Sequence, residues 1–191
     1  MKTFQLEGSL RDVLGKKAAK AVRAEESVPC VLYGGKEVMH FQATASGLRK
    51  LIYTPEIFLA EISIGGKTYK AIMKDLQFHP VSDKVLHVDF LEVSPKKPIV
   101  MEVPVKLEGL AEGVKEGGKL TQEMRKLKVK ATYDKIPENL TIDVTNLGLG
   151  KTIQVGALSF EGLEILSPAM NVVAAVKLTR AAKGAAAKSA K

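Results

Sequence analysis

Apolar and polar residues alternate along this chain in one short run after another, and a period of two describes half-buried β-strands rather than amphipathic helices. The run on which the reading of the others depends lies within residues 77–91, QFHPVSDKVLHVDFL. From Val85 to Leu91 the pattern puts Leu86, Val88 and Phe90 on one side and Val85, His87, Asp89 and Leu91 on the other. Same-face residues two apart on a strand lie about 6 to 7 Å from each other. His87 and Asp89 are therefore expected as outward neighbours, an imidazole beside a carboxylate. Such a pair is either solvated surface or a face that recognises something polar.

The strands before this stretch are short. Residues 3–10 alternate loosely around Phe4 and Leu6; residues 28–33, VPCVLY, are apolar and end at Gly34-Gly35; residues 37–43 form a more polar run. Residues 57–64 and 67–76 flank Gly65-Gly66, a hairpin signal. Two short helices are expected between them. One starts at about Lys16, after Gly15, and places Lys16, Lys20 and Arg23 on one face at i, i+4 and i+7. The other runs over residues 47–53, with Ser46 as its N-cap, and stops before Thr54-Pro55. Five or six strands within about 93 residues fit a small β-barrel.

Residues 94–98, SPKKP, form a stiff polar break, giving an expected first domain at 1–94 and a second at 95–179. In the second, Ile99, Met101, Val103, Val105 and Leu107 mark one face of a strand that Pro104 assigns to a sheet edge. A glycine-rich charged loop follows over residues 109–118. Further alternation at Leu127–Tyr133, at Leu140, Ile142 and Val144, and over residues 172–178 completes a second all-β domain, sandwich-like in architecture. Residues 180–191, RAAKGAAAKSAK, lack the apolar content to pack and read as a disordered basic tail. The whole is mainly β.

The net charge is +8, and it is unevenly placed: +2 over residues 1–94, +2 over 95–179 and +4 over 180–191. Within the first domain the excess gathers in residues 1–23. Localised positive charge points to a polyanion, with nucleic acid the leading candidate. The stripe of Lys16, Lys20 and Arg23 has two readings, a solvated face or long cations on phosphates with small alanines allowing close approach. Tyr33, at a strand end, either finishes the core or offers its ring to an unpaired base. Lys126, Lys128 and Lys130 share a strand face that reads as solvated, with RNA contact as the alternative.

Other chemistries find little support. No G-x-S-x-G elbow or other nucleophile motif accompanies His87. His79, His87 and Asp89 have neither structural-zinc spacing nor H-E-x-x-H, so no metal or other cofactor is expected. Residues 148–152, GLGKT, look like the end of a phosphate-binding loop, but Thr145 stands where that motif needs glycine, and the stretch reads as a turn. Cys30 alone cannot form an intramolecular disulfide and no apolar run follows a basic start, so a reducing cytoplasm is expected. No segment approaches 18 uninterrupted apolar residues, so neither is a membrane partner.

VPCVLYGG, HPVSD and VLHVDFLEV, with Arg11, Gly15-Lys16 and Arg23 upstream, together resemble the bacterial large-subunit ribosomal protein family that binds 5S rRNA. More specifically, the chain resembles the long, two-domain form, the general stress protein CTC family. The resemblance spans nearly the whole chain, with VPVKLEG as a softer match in the second domain. It implies an N-terminal barrel, similar to the anticodon-binding barrels of glutaminyl-tRNA synthetase, docked on the minor groove of the loop E region of 5S rRNA, and no catalysis or small-molecule substrate. It implies RNA contacts at Arg11, Lys20, Arg23, Tyr33, Gln77, His87 and Asp89, to which the basic stripe adds Lys16. Lys20, Ala24 and Phe78 stand where relatives can carry Arg, and a forked guanidinium is absent at each. Neighbouring ribosomal proteins are possible partners of the second domain. A related barrel serving tRNA or another structured RNA off the ribosome would use the same residues.

Overall fold

The computed structural model describes residues 1–95 and 97–179. The chain divides into two compact units, the second beginning at Val100. In the first, β1 (Lys2–Leu10), β2 (Ser27–Tyr33), β3 (Met39–Thr44), β4 (Phe58–Ile64), β5 (Lys67–Phe78) and β6 (Val85–Glu92) close into a barrel of order β1-β3-β2-β6-β5-β4. Hairpin-like neighbours pair antiparallel, while β1 with β4 and β2 with β6 pair parallel. Alternation works as period two requires: Cys30 and Leu32 of β2 lie beside Val88 and Phe90 of β6, all buried, while Val31 and Asp89 face out between them.

Leu6, Val28, Leu32, Phe41, Ile62, Val88 and Phe90 fill the barrel, with the Phe41 and Phe90 rings 5.8 Å apart. Each such side chain stabilises the fold by about 1.5 to 3 kcal/mol. Two helices interrupt the strands, α1 (Lys16–Ala24) and α2 (Ala45–Ile52). Leu48 and Leu51 of α2 belong to the core. The N-cap of α2 is Thr44, not Ser46: its extended backbone ends β3, and its Oγ1 accepts from the Gly47 amide at 3.2 Å. The helix ends at Ile52, and the Thr54 hydroxyl donates to the Lys50 carbonyl at 2.8 Å ahead of Pro55.

The second unit contains β7 (Ile99–Glu108), α3 (Glu112–Lys115), β8 (Lys119–Gln122), β9 (Lys126–Ala131), β10 (Leu140–Asp143), β11 (Thr152–Gln154), β12 (Glu164–Ile165) and β13 (Val172–Lys177). They form a four-stranded sheet, β10-β7-β9-β12, and a three-stranded one, β11-β13-β8. The chain is mainly β, as the alternation predicts. Three local expectations change. β7 is an interior strand despite Pro104, because its parallel pairing with β10 begins only at Val105, so the missing N–H falls outside that ladder. The glycine-rich loop contains a turn of helix, α3, and opens at Gly109, whose φ of +90° and closeness to Thr145 exclude a β-carbon. Tyr133 leaves β9 for a 3-10 turn. The expected tail at 180–191 lies outside the described residues. Among the described residues no helix is long and apolar enough to cross a membrane.

Candidate nucleic-acid interface

His87 and Asp89 share the outer face of β6, each about a third exposed, and the His87 Nδ1 lies 2.7 Å from Asp89 Oδ1. A carboxylate has no proton to give, so Nδ1–H is the donor, and Nε2 takes no part in that bond. Asp89 thus fixes the tautomer and orientation of the ring. Two irregularities frame this pair. Met73 and Asp75 of β5 face Phe90 and Asp89, leaving Lys74 as an extra residue; Gln77 and Phe78 face His87 and Val85, leaving Leu86 as another. Bulges of this kind break strict alternation and re-aim side chains. Val85 consequently turns to pack against the barrel core, instead of flanking His87 outside as simple alternation predicts.

Between the bulges, cross-strand register assembles the rest of the face. Gln77, exposed on β5, is the partner of His87, and Asp75 is the partner of Asp89, which in turn lies beside Val31 of β2. Tyr33 follows two residues on, half-buried. Burial raises its hydroxyl pKa above the ordinary value, helped by the negative charge of Asp89 and then Asp75, so the phenol stays a proton donor. Gly34 ends the strand with φ +93°, where a β-carbon would meet Leu91 Cδ1 at 2.5 Å. Asp75 was not a candidate from sequence. Its place depends on the Lys74 bulge, which is invisible without the partner strand. Two carboxylates facing each other across strands weaken a sheet, a local conflict of the kind tolerated at functional surfaces.

The α1 helix seats half-buried Ala18, Ala19 and Val22 inward and leaves Lys16, Lys17, Lys20 and Arg23 exposed. Its N-cap, Gly15, supplies no side-chain bond, and cations rather than carboxylates occupy its first turn, against the helix dipole. Arg23 reaches across to β6, where Nε and Nη2 donate to the Leu86 carbonyl at 3.0 and 2.9 Å. The cationic helix is thereby tied to the residue immediately before His87. Arg11 sits apart from this face: it leaves β1, and its amide donates to the His40 carbonyl of β3 at 3.0 Å. The fold thus gathers Tyr33, Gln77, His87 and Asp89 on β2, β5 and β6, attaches Lys16, Lys20 and Arg23 through α1, and leaves Arg11 at the other side of β3.

The remaining candidates have local employment. His79 Nδ1 accepts from the Val81 and Ser82 amides at 3.3 and 3.2 Å, and its backbone closes the same turn with Lys84 and Asp83. HPVSD is therefore the turn that joins β5 to β6, and its imidazole is occupied. Burial pushes the Cys30 thiol up to about 12, which keeps it protonated and unreactive. Among the described residues no three His, Cys, Asp or Glu side chains converge as a metal site requires. Residues 148–151 are a turn, with the Lys151 amide donating to the Gly148 carbonyl, and Thr152 begins β11. On β9, Lys128 and Lys130 pair with Glu102 and Glu164 at 3.7 and 2.9 Å.

Residues 6–90 match the Ribosomal L25p family, and residues 98–180 match the C-terminal domain of ribosomal protein TL5. Among curated relatives, "Large ribosomal subunit protein bL25" of Parabacteroides distasonis is 61% identical over 193 residues, covering 98% of this chain and all of its own. The Porphyromonas gingivalis protein of the same name is 62% identical over 190 residues, covering 98% and 99%. That of Bacteroides fragilis is 58% identical over 196 residues, covering both chains fully.

Proposed function

The chain belongs to the family of large ribosomal subunit protein bL25, and from that premise we propose that its barrel binds 5S rRNA through the outer face of β2, β6 and β5. As a member of that family it is a structural, non-enzymatic constituent of the large ribosomal subunit, ribosome-bound in the bacterial cytoplasm.

The observation that carries the reading is the hydrogen-bonded link from α1 to β6, which places a run of exposed cations beside the His87–Asp89 pair. Each part has its own task. Lys16 and Lys20 neutralise phosphates, a contribution indifferent to sequence. His87 Nε2, the Gln77 amide and the Tyr33 hydroxyl read base edges and 2′-hydroxyls in a widened minor groove, such as the irregular pairs of loop E provide. Asp89 orients His87 and keeps a second oxygen for a guanine amino group or a 2′-hydroxyl, the only terms on which a carboxylate faces a polyanion. Arg11 contributes from the edge of this surface, by charge.

The second unit fits a different partner. Lys106, Lys128, Lys130 and Lys177 each pair with a carboxylate of the same unit. Such exposed pairs add little stability, but they leave these four lysines already engaged, which suits contact with neighbouring ribosomal proteins better than contact with RNA.

The test is binding of the full chain to 5S rRNA across a salt series, against an equal-length RNA lacking the loop E region. Tight, competitor-resistant binding that His87→Ala or Asp89→Asn weakens is the expected result. Equal affinity for both RNAs would mean that charge alone drives association, and would turn the reading toward tRNA or another structured RNA off the ribosome.

A further inference from the structure

We propose that Arg23 is a positioning residue for the His87–Asp89 pair and not a phosphate contact, a role that rests on reading that face as the RNA interface. Three observations lead there. Leu86 is the extra residue of a bulge, since Gln77 faces His87 while Phe78 faces Val85, so Leu86 has no cross-strand partner of its own. Its carbonyl nevertheless accepts two N–H bonds, from Nε and Nη2 of one guanidinium. Lys16 and Lys20 of the same helix have no side-chain partner among the described residues, so Arg23 is distinguished from its cationic neighbours by being already engaged.

The consequence for His87 is direct. The Leu86 carbonyl belongs to the peptide that leads into His87, and fixing that plane fixes the direction in which His87 leaves the strand. Bulges otherwise leave such a plane loosely held. The fork matters: Nε and Nη2 converge on one oxygen in a geometry that a lysine ammonium, a point donor on a flexible stem, cannot reproduce. Arg23 thereby converts an irregular strand into a rigid support, as residues behind a recognition site do when they hold its orientation.

Arg23→Lys keeps the charge and removes the fork. In the free full-length variant, the His87 ring resonances are expected to shift, while amides of β1 and β4 stay in place. Discrimination between 5S rRNA and the RNA lacking loop E should fall by about tenfold, with the salt dependence unchanged because no charge is lost. Combined with His87→Ala, Arg23→Lys should add no further loss, since both act through one side chain. Unmoved His87 resonances would overturn the proposal even if no RNA discrimination exists to be lost. Shifted resonances in a protein without RNA selectivity would sustain the positioning role and remove the RNA reading instead. Arg23→Gln supplies a second arm by removing the charge while retaining an N–H donor. A salt slope lower by about 0.7 to 0.9 would make Arg23 a phosphate contact after all, whereas an unaltered slope supports the assignment.

Discussion

The two helices of the barrel are of similar length and opposite construction. α2 is capped by Thr44, carries Arg49 and Lys50 in its last turn where the dipole favours them, and buries Leu48 and Leu51. α1 has no side-chain cap, begins with Lys16-Lys17 against the dipole, and buries no residue fully. Stability accounts for α2 far better than for α1, in which only Arg23 of the last turn sits where the dipole favours a cation. A helix with so little intrinsic support persists only through half-buried alanines, Val22 and the Arg23 bond to β6. Its charge placement makes sense if a polyanion completes it.

That contrast can be broken at four points. Leu48→Ala, at a fully buried site in α2, should lower stability by about 2 to 5 kcal/mol, seen as a reduced urea midpoint at constant slope; a loss under about 1 kcal/mol would deny α2 its structural role. Lys16→Ala with Lys20→Ala should leave that midpoint in place and reduce the salt dependence of RNA binding by about 0.7 to 0.9 per contact removed. If the slope does not move, α1 is ordinary solvated surface. Thr44→Ala should cost about 1 kcal/mol with no change in RNA selectivity, and altered selectivity would mean that the helices are not independent. The smallest effect is the most diagnostic: Lys17→Glu should stabilise the free protein by about 0.3 to 1 kcal/mol while weakening RNA binding. A variant that gains neither stability nor loses affinity would show that the first turn of α1 was never in conflict with its dipole.

Sequence made the strands legible because a buried face imposes its period directly on the residues, and β2, β4, β5 and β6 could be found from that alone. It also placed α1 at Lys16. Features that depend on a partner were hidden. The Lys74 and Leu86 bulges exist only in the pairing of β5 with β6, so the inward turn of Val85 and the approach of Asp75 to Asp89 had no local sign. Thr44 and Ser46 are both chemically able to cap, and only the end of β3 decides between them. Pro104 argued for an edge because a sequence cannot reveal that β10 begins to pair one residue later. Of the candidate site, His87 and Asp89 were legible from alternation and Tyr33 from its place at a strand end, while Gln77 came only through resemblance. What Arg23 holds was not, since its acceptor is a backbone oxygen 63 residues away and carries no side-chain signature.

The closed barrel also sets an order of events during synthesis. β1 is its closing stave, paired with β3 at one edge and, from Lys2 with Phe58 to Gly8 with Ile64, with β4 at the other. Residues 2–8 of β1 must therefore wait for β4, encoded well downstream of β3, and such distant pairings are slow to form. Until β6 has emerged, β2 also lacks its parallel neighbour, and the recognition face does not exist. The outer face shared by β2, β6 and β5 is therefore complete only once β6 has been made, and a partial barrel cannot present it.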